Sequence, residues 1–247
     1  MRYKYLLWDI DGTILDFLAA EKNAIRTLFD KFGLGPCSEE MIATYSGINV
    51  RYWKMLERGL IKKQDMLVER FREFFSLVNV DVAMAEEFNE NYQIALGDTI
   101  CFMENAKELL IQLKAAGFIQ IAVTNGTAGA QSKKLKRSGL DQIFDRVFIS
   151  EEVGAEKPDV KFFERVFSEC GIHRRSQVLI IGDSLTSDMQ GGINAGIATC
   201  WYHPVRPGKE RDRDETSHEG QENAPEISVT YEISSLSEIT RIVMCCD

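Results

Sequence analysis

Positive charge is in short supply. Lys and Arg number 29 against 38 Asp and Glu, a formal net charge of −9 over 247 residues. The field around such a chain repels phosphodiester backbones, and nucleic-acid-binding proteins normally carry a basic excess, so no nucleic-acid partner is expected. Long apolar runs are missing as well. None approaches the roughly 18–20 residues of a membrane span, so no membrane partner is expected either. Met1 to Ile10 holds only a short apolar stretch, broken by Asp9 and then Asp11. It lacks the longer apolar region and the small residues of a secretory signal, which points to the cytoplasm. The six cysteines (Cys37, Cys101, Cys170, Cys200, Cys245, Cys246) are scattered and form no C-x-x-C pair, so free thiols are expected rather than a disulfide framework. The adjacent Cys245 and Cys246 stand at a terminus, where fraying rarely fixes metal ligands. Histidine is scarce: His173, His203 and His218 lie among loop residues, belong to no motif, and read as surface histidines.

What is present is ordinary for a globular chain: 45% hydrophobic and 27% charged residues. Wholesale disorder, collagen and coiled coil are thereby set aside. At about 150 residues per domain the length gives one sizeable core with room for a smaller second one. Near-continuous apolar runs predict strands at Tyr5–Ile10, Phe118–Val123, Arg146–Ile149, Gln177–Ile181 and Ile197–Trp201, as expected for parallel strands covered on both faces. Helical patterns separate them at Glu104–Ala116, Thr127–Ser138, Lys161–Cys170 and Thr186–Ala195. Gly117, Gly139, Gly171 and Gly196 follow as helix C-caps. This alternation predicts an α/β fold, a doubly wound parallel sheet.

Residues 17–97 break the alternation with helical periodicity alone. Leu28, Phe29 and Phe32 share one face, as do Trp53, Leu56 and Leu60, and Phe71, Phe74 and Phe75. The expected organisation is a catalytic core of residues 1–16 and 98–247 with an all-helical cap domain at 17–97, above the carboxyl ends of the strands, where such folds bind ligands. Between His203 and Ala224 the charge run Lys209 to Glu215 alternates in sign among Pro204, Pro207, Gly208 and Gly220, and is expected to form a solvated loop. A short strand at Val229–Ile233 and a helix from Leu236 follow. No internal repeat is found.

Every chemically informative segment follows a strand: Asp9-Ile10-Asp11-Gly12-Thr13, Thr124-Asn125-Gly126, Lys157-Pro158, and Gly182-Asp183-Ser184 with Asp188. They are expected to converge on one sheet edge. Asp9, Asp11, Asp183 and Asp188 cannot all stay ionised there without counter-charge. Lys157 supplies one positive charge and a hard divalent cation two. Oxygen ligands without His or Cys favour Mg²⁺ over Zn²⁺. The Thr124 hydroxyl, the backbone amides after it and Lys157 are donors for phosphoryl oxygens. The division of labour that suits the two neighbouring carboxylates makes Asp9 a nucleophile forming an aspartyl-phosphate. Asp11 then protonates the leaving alkoxide and later deprotonates water. Gly12 permits the turn. Asp188 caps the segment or orients Lys157 or another ligand.

Together these motifs, extended through Leu185-Thr186-Ser187-Asp188, resemble the four motifs of haloacid dehalogenase-like (HAD) phosphohydrolases over nearly the whole chain, including a helical cap after the first motif. The resemblance implies a Rossmann-like core, Asp9 as nucleophile and Asp11 as acid/base. It implies Mg²⁺ on the Asp9 carboxylate, the Asp11 carbonyl and the Asp183 carboxylate, and Thr124 and Lys157 on the phosphoryl group, with Asn125 beside them. Leu15-Asp16-Phe17, Ala20-Glu21-Lys22, Val123 to Gly126, Ile181 to Thr186, Thr199-Cys200-Trp201, Ala224 to Ile227 and Thr230 to Ile233 are similar to the YjjG/YfnB-type pyrimidine 5′-nucleotidases. That family implies hydrolysis of nucleoside 5′-monophosphates with pyrimidine and noncanonical bases. In the cap, Asn49, Tyr52 and Trp53 either face the substrate, where an aromatic stacks on a base and an amide reads its edge, or belong to the cap core, the favoured place for Trp53. Two alternatives stay open: a sugar-phosphate phosphatase or phosphomutase on the same core, and a non-catalytic nucleotide sensor. Nothing in the sequence fixes an oligomeric state.

Overall fold

Tyr5–Trp8 (β1) is buried along its whole length, so it needs apolar cover on both faces and a partner on both edges. Its partners are Ile119–Thr124 (β2), with Ile121 opposite Leu7, and Val178–Gly182 (β4), with Ile180 opposite Leu7. Arg146–Ile149 (β3) extends the β2 side; Ala198–Tyr202 (β5) and Tyr231–Ile233 (β6) extend the β4 side. The six strands are parallel in the order β3-β2-β1-β4-β5-β6. The computed structural model describes residues 2–204 and 227–244. The charge run after Pro207, His218, Ala224 to Glu226 and the Cys245-Cys246 pair lie outside the described residues.

The alternation of side chains along each strand sorts the core into two layers. Leu6 and Trp8 join Ala122, Leu179 and Ile181 on one face, under Leu109, Leu110 and Leu113 of Ala106–Ala115 (α5), Leu135 of Ala128–Ser138 (α6), and Ile239 and Val243 of Ile239–Met244 (α10). Tyr5 and Leu7 join Ile121, Val123 and Ile180 on the other, under Phe162, Phe163, Val166 and Phe167 of Val160–Cys170 (α8). Each such fully buried Leu or Phe contributes about 1.5–3 kcal/mol of transfer free energy. Two short helices, Ser150–Val153 (α7) and Gln190–Asn194 (α9), follow β3 and β4.

The single helix expected at Thr186–Ala195 is divided. Leu185–Met189 forms a wide π-type turn, and α9 begins only at Gln190. The amides of Asp188 and Met189 both donate to Ser184 O, at 3.0 and 3.1 Å. The wider turn leaves Ser187 and Asp188 buried at the sheet edge. The terminal strand is also shorter than its apolar pattern suggests, Tyr231–Ile233 rather than Val229–Ile233.

Between β1 and α5 the chain is helical: Phe17–Lys31 (α1), Glu39–Glu57 (α2), Lys63–Leu77 (α3) and Ala85–Leu96 (α4). Asp16 caps α1 by accepting from Ala19 N at 3.1 Å, and Ser38 caps α2 by accepting from Met41 N at 3.1 Å. These helices enclose an aromatic core of their own. Phe29, Phe71, Phe74, Phe75, Phe88, Tyr45 and Tyr92 are all fully buried. Tyr45 stacks on Phe71 at 4.9 Å and Phe75 meets Phe88 edge-on at 5.0 Å. The face expected from Trp53, Leu56 and Leu60 does not enter it; Leu60 is 67% exposed. The two chain crossings are bound side by side, Asp16 N to Cys101 O at 2.8 Å and Met103 N to Ile14 O at 2.9 Å. Among the described residues no helix is long and apolar enough to cross a membrane.

The strand order reverses at β1, with β2 to one side and β4 to the other, so a crevice opens beyond the carboxyl ends of these three strands. Because its aromatic cluster is fully buried, the insertion is sensitive to cavities. Phe71→Ala is expected to cost about 3–5 kcal/mol in urea denaturation; a loss below about 1 kcal/mol would mean that these rings do not hold the helices together.

Candidate active site

The three central strands end on Trp8, Thr124 and Gly182, and the next residues turn into the crevice. Asp9 stays tied to the sheet through its amide, which donates to Ile181 O at 2.9 Å. Gly12 then takes φ +94, and a Cβ at that position would stand 2.3 Å from Asp183 Oδ2. Glycine is therefore required twice over, for the left-handed turn and for the close approach to Asp183. The turn also separates Asp9 and Asp11. Asp9 meets Lys157, whereas Asp11 accepts from Lys134 Nζ at 2.5 Å and Gln131 Nε2 at 2.6 Å, both on α6.

Lys157 is 1% exposed, and its three donors are fully used. Nζ donates to Asp9 Oδ1 at 2.7 Å, Asp188 Oδ1 at 2.6 Å and Val123 O at 2.8 Å. Burial alone would discourage the charge; the carboxylates of Asp188 and Asp9 outweigh it and hold the ammonium above its ordinary range. Asn125 fixes the lysine backbone in a reciprocal pair, donating to Lys157 O at 2.8 Å and accepting from Lys157 N at 2.9 Å. Its side chain thus serves Lys157. The Thr124 hydroxyl, buried at the end of β2, accepts from Gly126 N at 3.1 Å.

Asp9, Asp183 and Asp188 bring carboxylate oxygens within 4.8 Å of one another. Burial pushes Asp9 up to about 7, with Lys157 pulling it down and Asp188 adding to the rise. Asp183 is pushed well above the carboxylate range by burial and then by Asp9 and Asp188. Thr13 Oγ1 donates to Asp183 at 3.3 Å, and no cation pairs with it among the described residues. Three carboxylates thus face one ammonium, and the unpaired member is the one that Gly12 allows so close. This charge deficit, made of oxygen donors alone, fits a hard divalent cation. The Asp11 carboxylate is outside the cluster. Asp188 joins it and also accepts from Ser184 N at 3.2 Å.

Above these groups lies a cavity of about 880 Å³, closed on the far side by the helical insertion. Trp53 lines it instead of the insertion's core, whereas Tyr52 packs against that core. Asn49 reaches the cavity wall but is 1% exposed, its carboxamide donating to Glu21 at 2.7 Å and accepting from Arg70 at 2.6 Å. Glu57, at the end of α2, accepts from the Thr186 hydroxyl, and burial pushes it up to about 7. His203 is no isolated surface residue; it stacks on Trp201 at 4.2 Å and pairs with Glu232 at 2.7 Å. His173 is exposed. Trp201 in turn donates to Asp183 O at 2.9 Å.

Gln131, Lys134 and Glu57 carry no signal of their own in the sequence, and Trp201 stands there only as the end of a strand and as part of the nucleotidase resemblance. Gln131 and Lys134 lie three apart on the helix after Thr124-Asn125-Gly126, a spacing that puts them on one face. Nothing in the sequence states that this face meets Asp11 rather than solvent.

Residues 6–202 match the haloacid dehalogenase-like hydrolase family. The chain is 36% identical over 245 residues to the HAD-hydrolase YfnB of Bacillus subtilis, covering 98% of this chain and 96% of that protein. It is 34% identical over 239 residues to the pyrimidine 5′-nucleotidase PynA of Streptococcus pneumoniae, covering 97% and 94%. With the pyrimidine 5′-nucleotidase YjjG of Escherichia coli it shares 30% over 246 residues, covering 98% and 99%. The crystal structure of the Bacillus subtilis YfnB bound to magnesium superimposes with a TM-score of 0.85 at 34% identity, covering 98% of this chain and 99% of that one.

The buried Glu57 generates a pH dependence. Its folded value of about 7 exceeds the ordinary 4.5, so the folded state holds the proton longer than the unfolded state. Stability from this group is therefore greatest below about pH 4.5 and declines as pH rises through about 7. Relative to the parent, Glu57→Gln is expected to gain about 3 kcal/mol between pH 4 and pH 8. Urea midpoints at the two pH values check this, and a pH-independent difference would remove burial as the cause.

Proposed function

Because the chain belongs to the haloacid dehalogenase-like hydrolases, we propose that it is a Mg²⁺-dependent phosphomonoesterase of nucleoside 5′-monophosphates, pyrimidine ones first, acting through an aspartyl-phosphate on Asp9. The observation that carries this is the Asp9 carboxylate at the cavity floor. Lys157 pins its Oδ1 at 2.7 Å, and Oδ2 has no protein partner among the described residues. The relatives PynA and YjjG supply the substrate class by their names. A cavity of about 880 Å³ with Trp53 on its wall has room for a base and a ribose beyond the phosphate. We assign the catalytic core to residues 1–16 and 98–247, the cap to 17–97, and the site of action to the cytoplasm.

In the first half of the cycle Asp9 attacks phosphorus. The ester P–O bond breaks, and the departing alkoxide takes a proton from Asp11. In the second half a water gives its proton to Asp11 and attacks the same phosphorus, releasing orthophosphate and the Asp9 carboxylate. Lys134 and Gln131 hold the Asp11 side chain in place beside the cavity by donating to its two oxygens. The Thr124 hydroxyl and the amides after it hold phosphoryl oxygens, while Lys157 keeps Asp9 oriented. Asp9, Asp183 and the Asp11 carbonyl would hold the Mg²⁺, with Asp188 positioning Lys157. When bound, the cation supplies the positive charge that the phosphoryl oxygens need.

Asp9→Asn is expected to lower phosphate release from a pyrimidine nucleoside monophosphate by about a thousandfold or more, with the circular dichroism spectrum unchanged. Chelation with EDTA is expected to abolish turnover, and added Mg²⁺ to restore it. Undiminished turnover by the Asp9→Asn protein would remove Asp9 as the nucleophile; equal turnover of a hexose phosphate would remove the nucleotide preference.

A further inference from the structure

Lys63 opens α3, in the helical insertion, yet its ammonium lies among the loops of the sheet. Nζ donates to Asn125 O at 2.6 Å and Ser150 Oγ at 2.8 Å, with Gly126 O at 3.4 Å and Glu156 Oε1 at 3.3 Å sharing its remaining proton. Three separate core segments are thus gathered by one side chain from the opposite body. The placement runs against local helix physics. Positive charge is unfavourable at the first turn of a helix, and here Lys62 and Lys63 both stand there with no side-chain cap, against the one acidic residue Asp65. A residue that breaks a local rule marks a site where another demand prevails.

That demand is visible in the peptide group between Asn125 and Gly126. Its carbonyl accepts from Lys63, and its N–H donates to Thr124 Oγ1 at 3.1 Å. A cation on the carbonyl polarises the peptide and strengthens the N–H as a donor. It also fixes the plane in which that N–H points. Thr124 and the amides after it are the phosphoryl donors of the proposed function, and the inference rests on that reading. At the other end of the α2–α3 connection, Glu57 accepts from Thr186 beyond β4. The connection therefore stands on the loops after both neighbours of β1.

We infer that Lys63 is a positioning residue that completes the phosphoryl-binding loop only when the helical insertion is seated, by fixing and polarising the Asn125–Gly126 peptide. Lys63 does not touch the substrate. The Glu156 contact is the longer one at 3.3 Å; the short bonds to Asn125 O and Ser150 Oγ are what give the residue its role.

The test uses the full chain with Mg²⁺, comparing the parent with Lys63→Met and Lys63→Arg. Orthophosphate binding is measured by calorimetry, and kcat/KM on a pyrimidine nucleoside monophosphate and on p-nitrophenyl phosphate. Lys63→Met is expected to weaken orthophosphate binding about tenfold, as for one lost charge-assisted hydrogen bond. It is expected to lower kcat/KM by a similar factor on both esters, because both share only the phosphoryl group. Lys63→Arg is expected to recover part of each loss. The melting temperature is expected to change little, since relief of the charge at the helix start offsets part of the cost of the bonds lost. Unchanged orthophosphate affinity, or a loss confined to the nucleotide KM, would overturn the inference, as would a melting temperature that falls in step with activity. A parent that binds orthophosphate but cleaves neither ester would defeat the proposed function; weaker orthophosphate binding by Lys63→Met would then still support the positioning role.

Discussion

A single buried ammonium organises the centre of this protein. Lys157 is 1% exposed and spends its protons on Asp9, Asp188 and Val123 O. A buried charge is tolerable only when its partners and hydrogen bonds are complete, so each partner is constrained in turn. Asp188 must reach the lysine from the segment after β4, which explains the wide turn at Leu185–Met189 where a regular helix is the simpler continuation. Asp9 must reach it from the end of β1. The carbonyl of Val123 must come from β2. The three central strands are therefore locked to one another at their carboxyl ends by one side chain, in addition to their ladders.

Close approach of backbones follows from the same crowding. A Cβ on Gly182 would stand 2.2 Å from Asp188 Oδ2, and one on Gly12 would stand 2.3 Å from Asp183 Oδ2. Gly191 and Gly192 admit Phe163 and Thr199 in the same way, which seats α9 tightly on the sheet. The carboxylates are thus held within reach of one another by the absence of side chains beside them, while burial first and then their mutual repulsion raise Asp9 and Asp183. Under the proposed function a divalent cation would relieve this repulsion.

The sheet was legible because its signal is local. Runs such as Val178-Leu179-Ile180-Ile181 are apolar on every residue, which only a strand covered on both faces needs. The motifs were legible because each follows such a run directly. Side chains that depend on how helices dock were not. Trp53, Leu56 and Leu60 share a helical face, but the α2 end leaves the aromatic core to approach the β4 loop, so Trp53 lines the cavity and Leu60 faces solvent. Asn49 looks free to read a base until the buried Glu21 and Arg70 are seen to claim both ends of its carboxamide. Lys134 looks like one more solvated lysine in Lys133-Lys134-Leu135-Lys136, yet it is almost fully buried against Asp11. Periodicity gives the face of a helix and not the neighbour that the face will meet.

The overall charge of −9 opposes an anionic substrate at long range, but the relevant scale is short. At physiological ionic strength charges are screened beyond about 8 Å, so the phosphoryl group responds to the groups lining the crevice. At the cavity floor those are net acidic in the protein alone, with Asp9, Asp183 and Asp188 against Lys157, while Arg51, Lys54 and Arg58 stand on the wall. Under the proposed function, neither a phosphate ester nor a divalent cation suits the site fully by itself: the ester meets carboxylates, and the cation leaves the donors of Thr124 and the following amides unused. Each neutralises what opposes the other, so their affinities must be linked, and by thermodynamic reciprocity to the same degree in both directions. The acidic cluster is then a device that keeps phosphate binding conditional on the cation, and the buried Lys157 keeps the nucleophile aligned while that condition is met.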